Sequence, residues 1–294
     1  MKEKIIYALG FFDGVHLGHQ ALLAACKNLA AEKGAIAGAV TFTTHPDALV
    51  QGKMPGLINT PKDRKMLLQH HIDRVLELPF DEALMRMPWQ EFVHLLVKNH
   101  QAAGFVCGAD FRFGYKGEGT AEILQQYCNL QKIPCVIVPE QVLDGITISS
   151  THIRALLEQG KVAEAGCFLG HPHVLSGMVI TGKQLGRTIG IPTANLALPA
   201  GVLCPRYGVY ACQALVDGKQ YAAVTNIGTR PTVNGDHVTV ESYLLDFDGD
   251  LYGKHLQLSF YEFLRPEKKF GSLGELQAEI RKNIATTRKI FEKS

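Results

Sequence analysis

The stretch IIYALGFFDGVHLGHQALLAACKNLA, residues 5–30, decides the fold of the first half of the chain. Ile5 to Leu9 is a short apolar strand candidate. Phe11-Phe12-Asp13-Gly14 reads as a turn, and Gly18 to Ala31 is alanine- and leucine-rich like a helix. The same grammar repeats downstream. Ile36 to Phe42 is a strand and is followed by a loop at His45-Pro46. Arg64 to Gln69, Trp89 to Asn99 and Ala121 to Asn129 read as helices. Arg74 to Leu78, Gly104 to Cys107 and Pro134 to Pro139 read as the strands after them. Strand–helix alternation predicts an α/β unit with a mostly parallel sheet covered on both faces.

From Thr151 to Phe168 the pattern is helical, interrupted at Gly160 and ended by Gly170-His171-Pro172. After about residue 172 the grammar changes. Val174 to Thr181, Tyr207 to Val216, Tyr221 to Ile227, Thr239 to Leu245 and His255 to Glu262 are five strand candidates. Turns such as Asp217-Gly218 and Asn234-Gly235-Asp236 separate them, with no crossover helix. That pattern predicts a small antiparallel barrel, closed by one helix from Leu273 to Phe291. The expected organisation is residues 1–155 as the first domain, 156–171 as a helical linker and 172–294 as the barrel domain.

Composition narrows the class. The 294 residues are 46% hydrophobic and 20% charged with a net charge of +2, as in a folded globular protein. The near-balance, 15 basic and 15 acidic residues up to residue 155, gives no argument for a nucleic-acid partner. No stretch reaches the roughly 20 apolar residues of a membrane span, and the first residues are too polar for a secretory leader. Seven widely spaced cysteines without a CxxC pair read as buried thiols rather than disulfides or a zinc site, and so as a cytoplasmic protein.

Two constellations carry chemistry. In the first, His16 and His19 are three apart at a helix start, so they share a face. Gly18 leaves room for a ligand, and the orphan amides of the helix favour a phosphate. Charge stabilisation on a transferring phosphoryl group, metal binding and a structural histidine pair all remain open on the residues alone. The second runs from Gly177 to Asn195, with glycines at 177, 182, 186 and 190 that could curl amides around phosphates. It is not a Walker A loop, because Gln184 stands where a hydroxyl residue is required. Tight turns in a barrel are the alternative.

Gly10 to Gln20 resembles the opening of the bacterial bifunctional riboflavin kinase/FAD synthetase (FMN adenylyltransferase) family, and its His-x-Gly-His core is shared with a wider nucleotidyltransferase superfamily. Two further segments are similar to that family: Gly108-Ala109-Asp110-Phe111-Arg112-Phe113-Gly114 and Ile148-Ser149-Ser150-Thr151-His152-Ile153-Arg154. Residues 177–195, with the core Pro192-Thr193-Ala194-Asn195, resemble the riboflavin kinase signature. The resemblance implies a Rossmann-like nucleotidyltransferase domain followed by a Greek-key kinase barrel. It also implies two reactions: riboflavin plus ATP gives FMN plus ADP, and FMN plus ATP gives FAD plus pyrophosphate.

By that resemblance, Glu241 is the base that takes the ribityl hydroxyl proton, while His16, His19 and Arg154 act on the triphosphate during adenylyl transfer. Thr193 supplies an oxygen to Mg²⁺, with Asn195 beside the metal and phosphates. Gly10, Phe11, Asp13, His45, Asp110, Phe111, Ser150 and Thr151 belong to the nucleotide and flavin site of the first domain. Gly177, Gly182, Gly186, Arg187 and Gly190 belong to that of the second. Arg265 contacts a ligand or pairs with an acid. Phe80, Trp89 and Phe92 lie near the flavin ring or in the core. Ser150 and Thr151 also have a capping role open to them.

Two departures bear on adenylyl transfer. Gly117 stands where the family pattern has an arginine, with Lys116 one position early, and His152 stands where the second motif often has another. Lysine and histidine lack the planar fork of arginine. An efficient kinase with weak or altered adenylyl transfer is therefore an alternative, and a non-catalytic flavin- or nucleotide-binding regulator is a second. Partners are small molecules in each reading.

Overall fold

A computed structural model describes residues 3–50, 52, 55–182, 190–232 and 235–292, with the side chains of 230–237 outside that description. Gly186 and Arg187 lie outside the described residues. Contacts divide the chain into two compact units, Met1–Leu57 with Pro61–Ser150, and Ile58–Thr60 with Thr151–Ser294.

The first unit is built on a five-stranded parallel sheet. Its strands are β1 (Ile5–Leu9), β2 (Ile36–Phe42), β3 (Arg74–Leu78), β4 (Ala102–Gly108) and β5 (Cys135–Val138). The spatial order is β3-β2-β1-β4-β5. All five residues of β1 are buried, as a central strand covered on both faces requires. On one face, Leu23, Cys26 and Leu29 of α1 (Leu17–Lys33) pack with Ile6, Ala8 and Leu68, the last from α2 (Pro61–His71). On the other, α3 (Trp89–Asn99) and α4 (Ala121–Gln131) bring Phe92, Leu96, Leu124 and Cys128 against Tyr7 and Phe105. The chain leaves β1 for β2 on one side and enters β4 on the other. That reversal opens a crevice at the carboxyl ends of β1 and β4.

The second unit begins with two helices, α5 (Ser150–Glu158, Ser150 itself grouping with the first unit) and α6 (Val162–Leu169), parted at Gly160 with a φ of 80°. Contacts divide the chain after Ser150, and both helices pack with the second unit. His152 lies edge-on to Phe168, with ring centroids 4.7 Å apart, and holds α5 to α6. The short segment Ile58–Thr60 joins the same unit through Asn59, whose amide donates to the Val174 carbonyl at 3.2 Å.

A closed antiparallel barrel follows. Its strands are β6 (His173–Ile180), β7 (Ala194–Ala197), β8 (Gly208–Val216), β9 (Lys219–Thr232), β10 (Gly235–Leu244) and β11 (His255–Arg265). The circuit β6-β7-β10-β9-β8-β11 is a Greek-key order, because β7 lies beside β10 at the far side of the β8-β9-β10 meander. The sequence pattern showed five of these strands and missed β7. Alternation along β10 turns Val240, Ser242 and Leu244 into the barrel. The final helix α7 (Leu273–Phe291) starts at Ser272, whose hydroxyl caps the Glu275 amide. All seven cysteines are free thiols; Cys167 is exposed, while Cys26, Cys107, Cys128 and Cys212 are buried.

Candidate active sites

The crevice at the end of β1 and β4 is a cleft of about 410 Å³. Gly10, Phe11, His16, His19, Asp110, Phe111 and Ser150 line it. Its floor is the turn between β1 and α1, which holds Phe12 at a φ of 60° and Val15 at 43°. A β-branched residue such as Val15 pays strain in that region, and such strain persists where surrounding packing fixes it. Both side chains are buried, and Val15 N–H bonds to the Phe12 carbonyl at 3.1 Å.

His16 is the N-cap of α1, and its Nδ1 accepts the His19 backbone N–H at 3.2 Å. That acceptor role leaves the proton of the neutral ring on Nε2. The two imidazoles stack with centroids 3.5 Å apart and planes 17° from parallel. Burial, and secondarily the adjacent His16, hold the His19 pKa well below its usual value. Its Nδ1 is buried with no hydrogen-bond partner among the described residues. His19 is therefore held towards its neutral form, in which it donates or accepts single hydrogen bonds rather than supplying positive charge. A Cβ on Gly18 would come within 3.2 Å of the His16 ring, so the glycine makes space for the stacked pair as well as for a ligand.

Other elements close the cleft. Ser150 is the first residue of α5, and its hydroxyl donates to the Asp13 carbonyl at 2.9 Å instead of capping the helix. Thr151 is exposed and Arg154 half-buried on the same helix, in the part that groups with the second unit. His45 Nδ1 accepts the Asp47 N–H, and its ring meets Phe11 edge-on at 4.4 Å. Asp13 is buried. A Cβ on Gly108 would meet the Asp110 carboxylate at 2.8 Å. Among the described residues, Arg112 is the one lysine or arginine lining the cleft, and it reaches the Gly117 carbonyl at 3.4 Å. Lys116 instead lies over the Tyr115 ring. Trp89 and Phe92 pack on Phe113, and Phe80 packs on Phe42.

The barrel carries a different arrangement. Register pairs Glu241 with Asn195 on β7 and with Asn226 on β9. Directly paired residues share a face, so Asn195, Glu241 and Asn226 form a polar row across three strands. It lies on the outer face, opposite the buried Val240 and Ser242. A Cβ on Gly182 would collide with the Asn195 amide, so the chain after β6 passes directly over this row. Next to it, Pro192, Thr193, Tyr243, Phe247, Asp248 and Asp250 line a cavity of about 140 Å³.

Two family models account for most of the chain: FAD synthetase over residues 1–152 and riboflavin kinase over residues 169–291. The chain belongs to the bifunctional riboflavin kinase/FMN adenylyltransferase family. Proteins of that name from Listeria monocytogenes, Bacillus subtilis and Escherichia coli K12 are 34%, 35% and 36% identical to it. The alignments cover 98%, 96% and 99% of this chain and 93%, 91% and 94% of the relatives. A solved structure from Streptococcus pneumoniae, described as a macrolide-efflux protein, matches with a TM-score of 0.88 at 31% identity. That match covers 98% of this chain and 95% of the other. Among the described residues, no helix is long and apolar enough to cross a membrane.

The chain is thus a transferase of two steps: it phosphorylates riboflavin to FMN and adenylylates FMN to FAD, with ATP as co-substrate. Two glycines of the kinase segment differ in their surroundings. Gly177 is mid-strand in β6, where a Cβ would collide with the Ala197 carbonyl of β7. Gly190, at a φ of 70°, has open space around it. Arg265 pairs with Glu279 at 3.4 Å. Sequence reasoning carried Asn226, and Asp248 and Asp250 within 246–253, only as parts of segments that resemble the family's barrel strands and flavin-facing loops, and the register of Asn226 with Glu241 adds to that. It passed over Arg64 and left Arg112 unassigned within its motif.

Proposed function

We propose that the barrel row performs the kinase step and the sheet cleft performs adenylyl transfer. The observation that carries the assignment is the Asn195–Glu241–Asn226 row beside Thr193. The row sets a carboxylate between two amide side chains on one face of the barrel. In this reading Glu241 accepts the 5′-hydroxyl proton of riboflavin as that oxygen bonds to the γ-phosphorus of ATP and ADP departs.

Mg²⁺ fits the donors present. The Thr193 hydroxyl and the Asn195 amide oxygen are hard oxygens, and among the described residues no group of three His, Cys, Asp or Glu could hold a metal by itself. Such a sparse set suits an ion that keeps waters and phosphate oxygens as its other ligands. When bound, the ion would neutralise charge on the transferring phosphates. Thr193 and Asn195 orient the nucleotide, and Gly182 and Gly190 flank them in the same signature, with Gly186 and Arg187 assigned to it by resemblance alone.

In the sheet cleft an oxygen of the FMN phosphate attacks the α-phosphorus of ATP and pyrophosphate leaves. The nucleophile is already an anion, so alignment and hydrogen bonding carry the step. His16 and His19 supply ring hydrogen bonds, and the amides at the start of α1 add theirs. Gly10, Phe11, His45, Asp110, Phe111 and Ser150 shape the nucleotide and flavin seats, and Asp13 braces the turn. Arg112 supplies the cleft cation. The free thiols fit a reducing, cytoplasmic location.

The test is a chromatographic time course with riboflavin, ATP and Mg²⁺. FMN should appear first and FAD with pyrophosphate after it. FMN without FAD would remove the adenylyl half of the proposal, and turnover unchanged by chelation would remove the Mg²⁺ role.

A further inference from the structure

Arg64 on α2 is 1% exposed and is the largest fully buried side chain among the described residues. An arginine is rarely buried without a reason, because its charge is costly to remove from water and an apolar residue would fill the same space. Its Nη2 donates to the Phe42 carbonyl at 2.6 Å. Its guanidinium carbon sits 4.0 Å from the centroid of the Phe11 ring. Its Nη1 is buried with no hydrogen-bond partner among the described residues. Burial opposes its charge, and the carboxylates of Asp13 and Glu77 favour it.

Both groups that Arg64 touches are walls of the adenylyl-transfer cleft. Phe42 ends β2 and Phe11 follows β1, and each lines the cleft directly. The Thr41 hydroxyl ties the same two segments by donating to the Phe11 carbonyl at 2.8 Å. On its other side the Phe11 ring meets His45. A planar cation is suited to this position, since one edge can donate to a carbonyl while its face rests on an aromatic ring.

We propose that Arg64 is a positioning residue for adenylyl transfer, fixing Phe11 and the end of β2 so that the cleft meets its nucleotide already shaped. The proposal rests on the reading of this cleft as the adenylyl-transfer site. A preformed wall lowers the cost of ordering on binding and so acts on nucleotide affinity more than on turnover.

The test uses the full chain, FMN and ATP, with riboflavin phosphorylation by the same preparation as an internal standard. Arg64→Met should raise the KM for ATP in FAD formation about tenfold, the size of one desolvated cation–π contact, with kcat and FMN formation little changed. Arg64→Lys, which keeps the charge over the ring, should recover part of that loss. Phe11→Leu should shift KM in the same direction, and the double variant should be no worse than the poorer single one. A lowered melting temperature with unchanged KM would make Arg64 a brace of the fold alone, and multiplicative effects in the double variant would break the link through Phe11. If Arg64→Met gives no soluble protein, Phe11→Leu decides, and an unchanged KM overturns the proposal. Failure of the underlying reading looks different: FAD formation would then survive His16→Ala with His19→Ala.

Discussion

The sheet cleft and the barrel row handle the same nucleotide by opposite means. The cleft is made where a parallel sheet reverses its winding, and its chemistry lies in a strained turn, a helix start and two stacked imidazoles. The barrel row is made by register: three strands bring Asn195, Glu241 and Asn226 side by side. Glycine serves each differently. Gly18 gives space to a ring of its own site, whereas Gly177 gives space to a neighbouring strand. Under the proposed assignment, a proton-accepting carboxylate sits on a rigid strand facing outward, whereas a site that aligns two anions is built from backbone donors and imidazole rings.

The comparison is broken most directly at Glu241. Glu241→Gln keeps the shape of the row and removes the base, so FMN formation should fall by about 10²–10⁴-fold, while conversion of supplied FMN to FAD stays at its wild-type rate. Equal losses in both steps, measured on one preparation, would mean that the two sites are not separate in function. The reverse variant is His16→Ala with His19→Ala. Loss of preorganised donors at the phosphates should cost FAD formation about 10²–10³-fold and leave riboflavin phosphorylation intact.

Much of this contrast could be read from residue order. Strand–helix alternation located the sheet, and Ile36–Phe42, Trp89–Asn99 and Leu273–Phe291 have the bounds that their periodicity suggests. The strand Ala194–Ala197 was not legible, because four residues after a proline, one of them asparagine, carry no alternation of their own. Its existence depends on pairing with β6 and β10, far off in sequence. The division after Ser150 was hidden because one continuous helix, Ser150–Glu158, runs across it. The neutral state of His19 follows from burial, and the role of Arg64 from the rings and carbonyls around it; neither leaves a trace in spacing. His152 shows the same limit: its place against Phe168 explains why a ring is useful there, which a comparison of motifs registers only as a missing cation.

A smaller effect sharpens the electrostatic side of the contrast. His19 has its pKa held well below the usual 6.5, chiefly by burial. Its ring protons, followed by NMR in the ligand-free chain, should therefore show no titration between pH 7 and about 5.5, whereas an exposed histidine would move through most of its range. A His19 resonance that titrates near 6.5 would return the cleft to a cationic mechanism.

The smallest expected effect separates function from packing in the barrel. His173 is fully buried beside Phe260, with rings 5.6 Å apart, and neither ring nitrogen has a hydrogen-bond partner among the described residues. Burial, with His171 a lesser cause, lowers its pKa to about 3. Above pH 6.5 the ring is neutral in both folded and unfolded chains, so it contributes no pH dependence. As pH falls from 6.5 towards 3, the unfolded chain binds a proton that the folded barrel refuses, and stability declines by up to about 1.4 kcal/mol per pH unit. His173→Phe should remove that slope and leave the barrel at least as stable at pH 7, since it replaces two unpaired polar atoms by an apolar ring of similar shape. Amide exchange of the barrel strands at pH 7 and pH 5 measures it without averaging over the other unit. An unchanged slope in His173→Phe would mean that other groups set the acid limit of the barrel. Riboflavin phosphorylation at pH 7 should not change, because the row at Glu241 faces outward while His173 is buried in the fold.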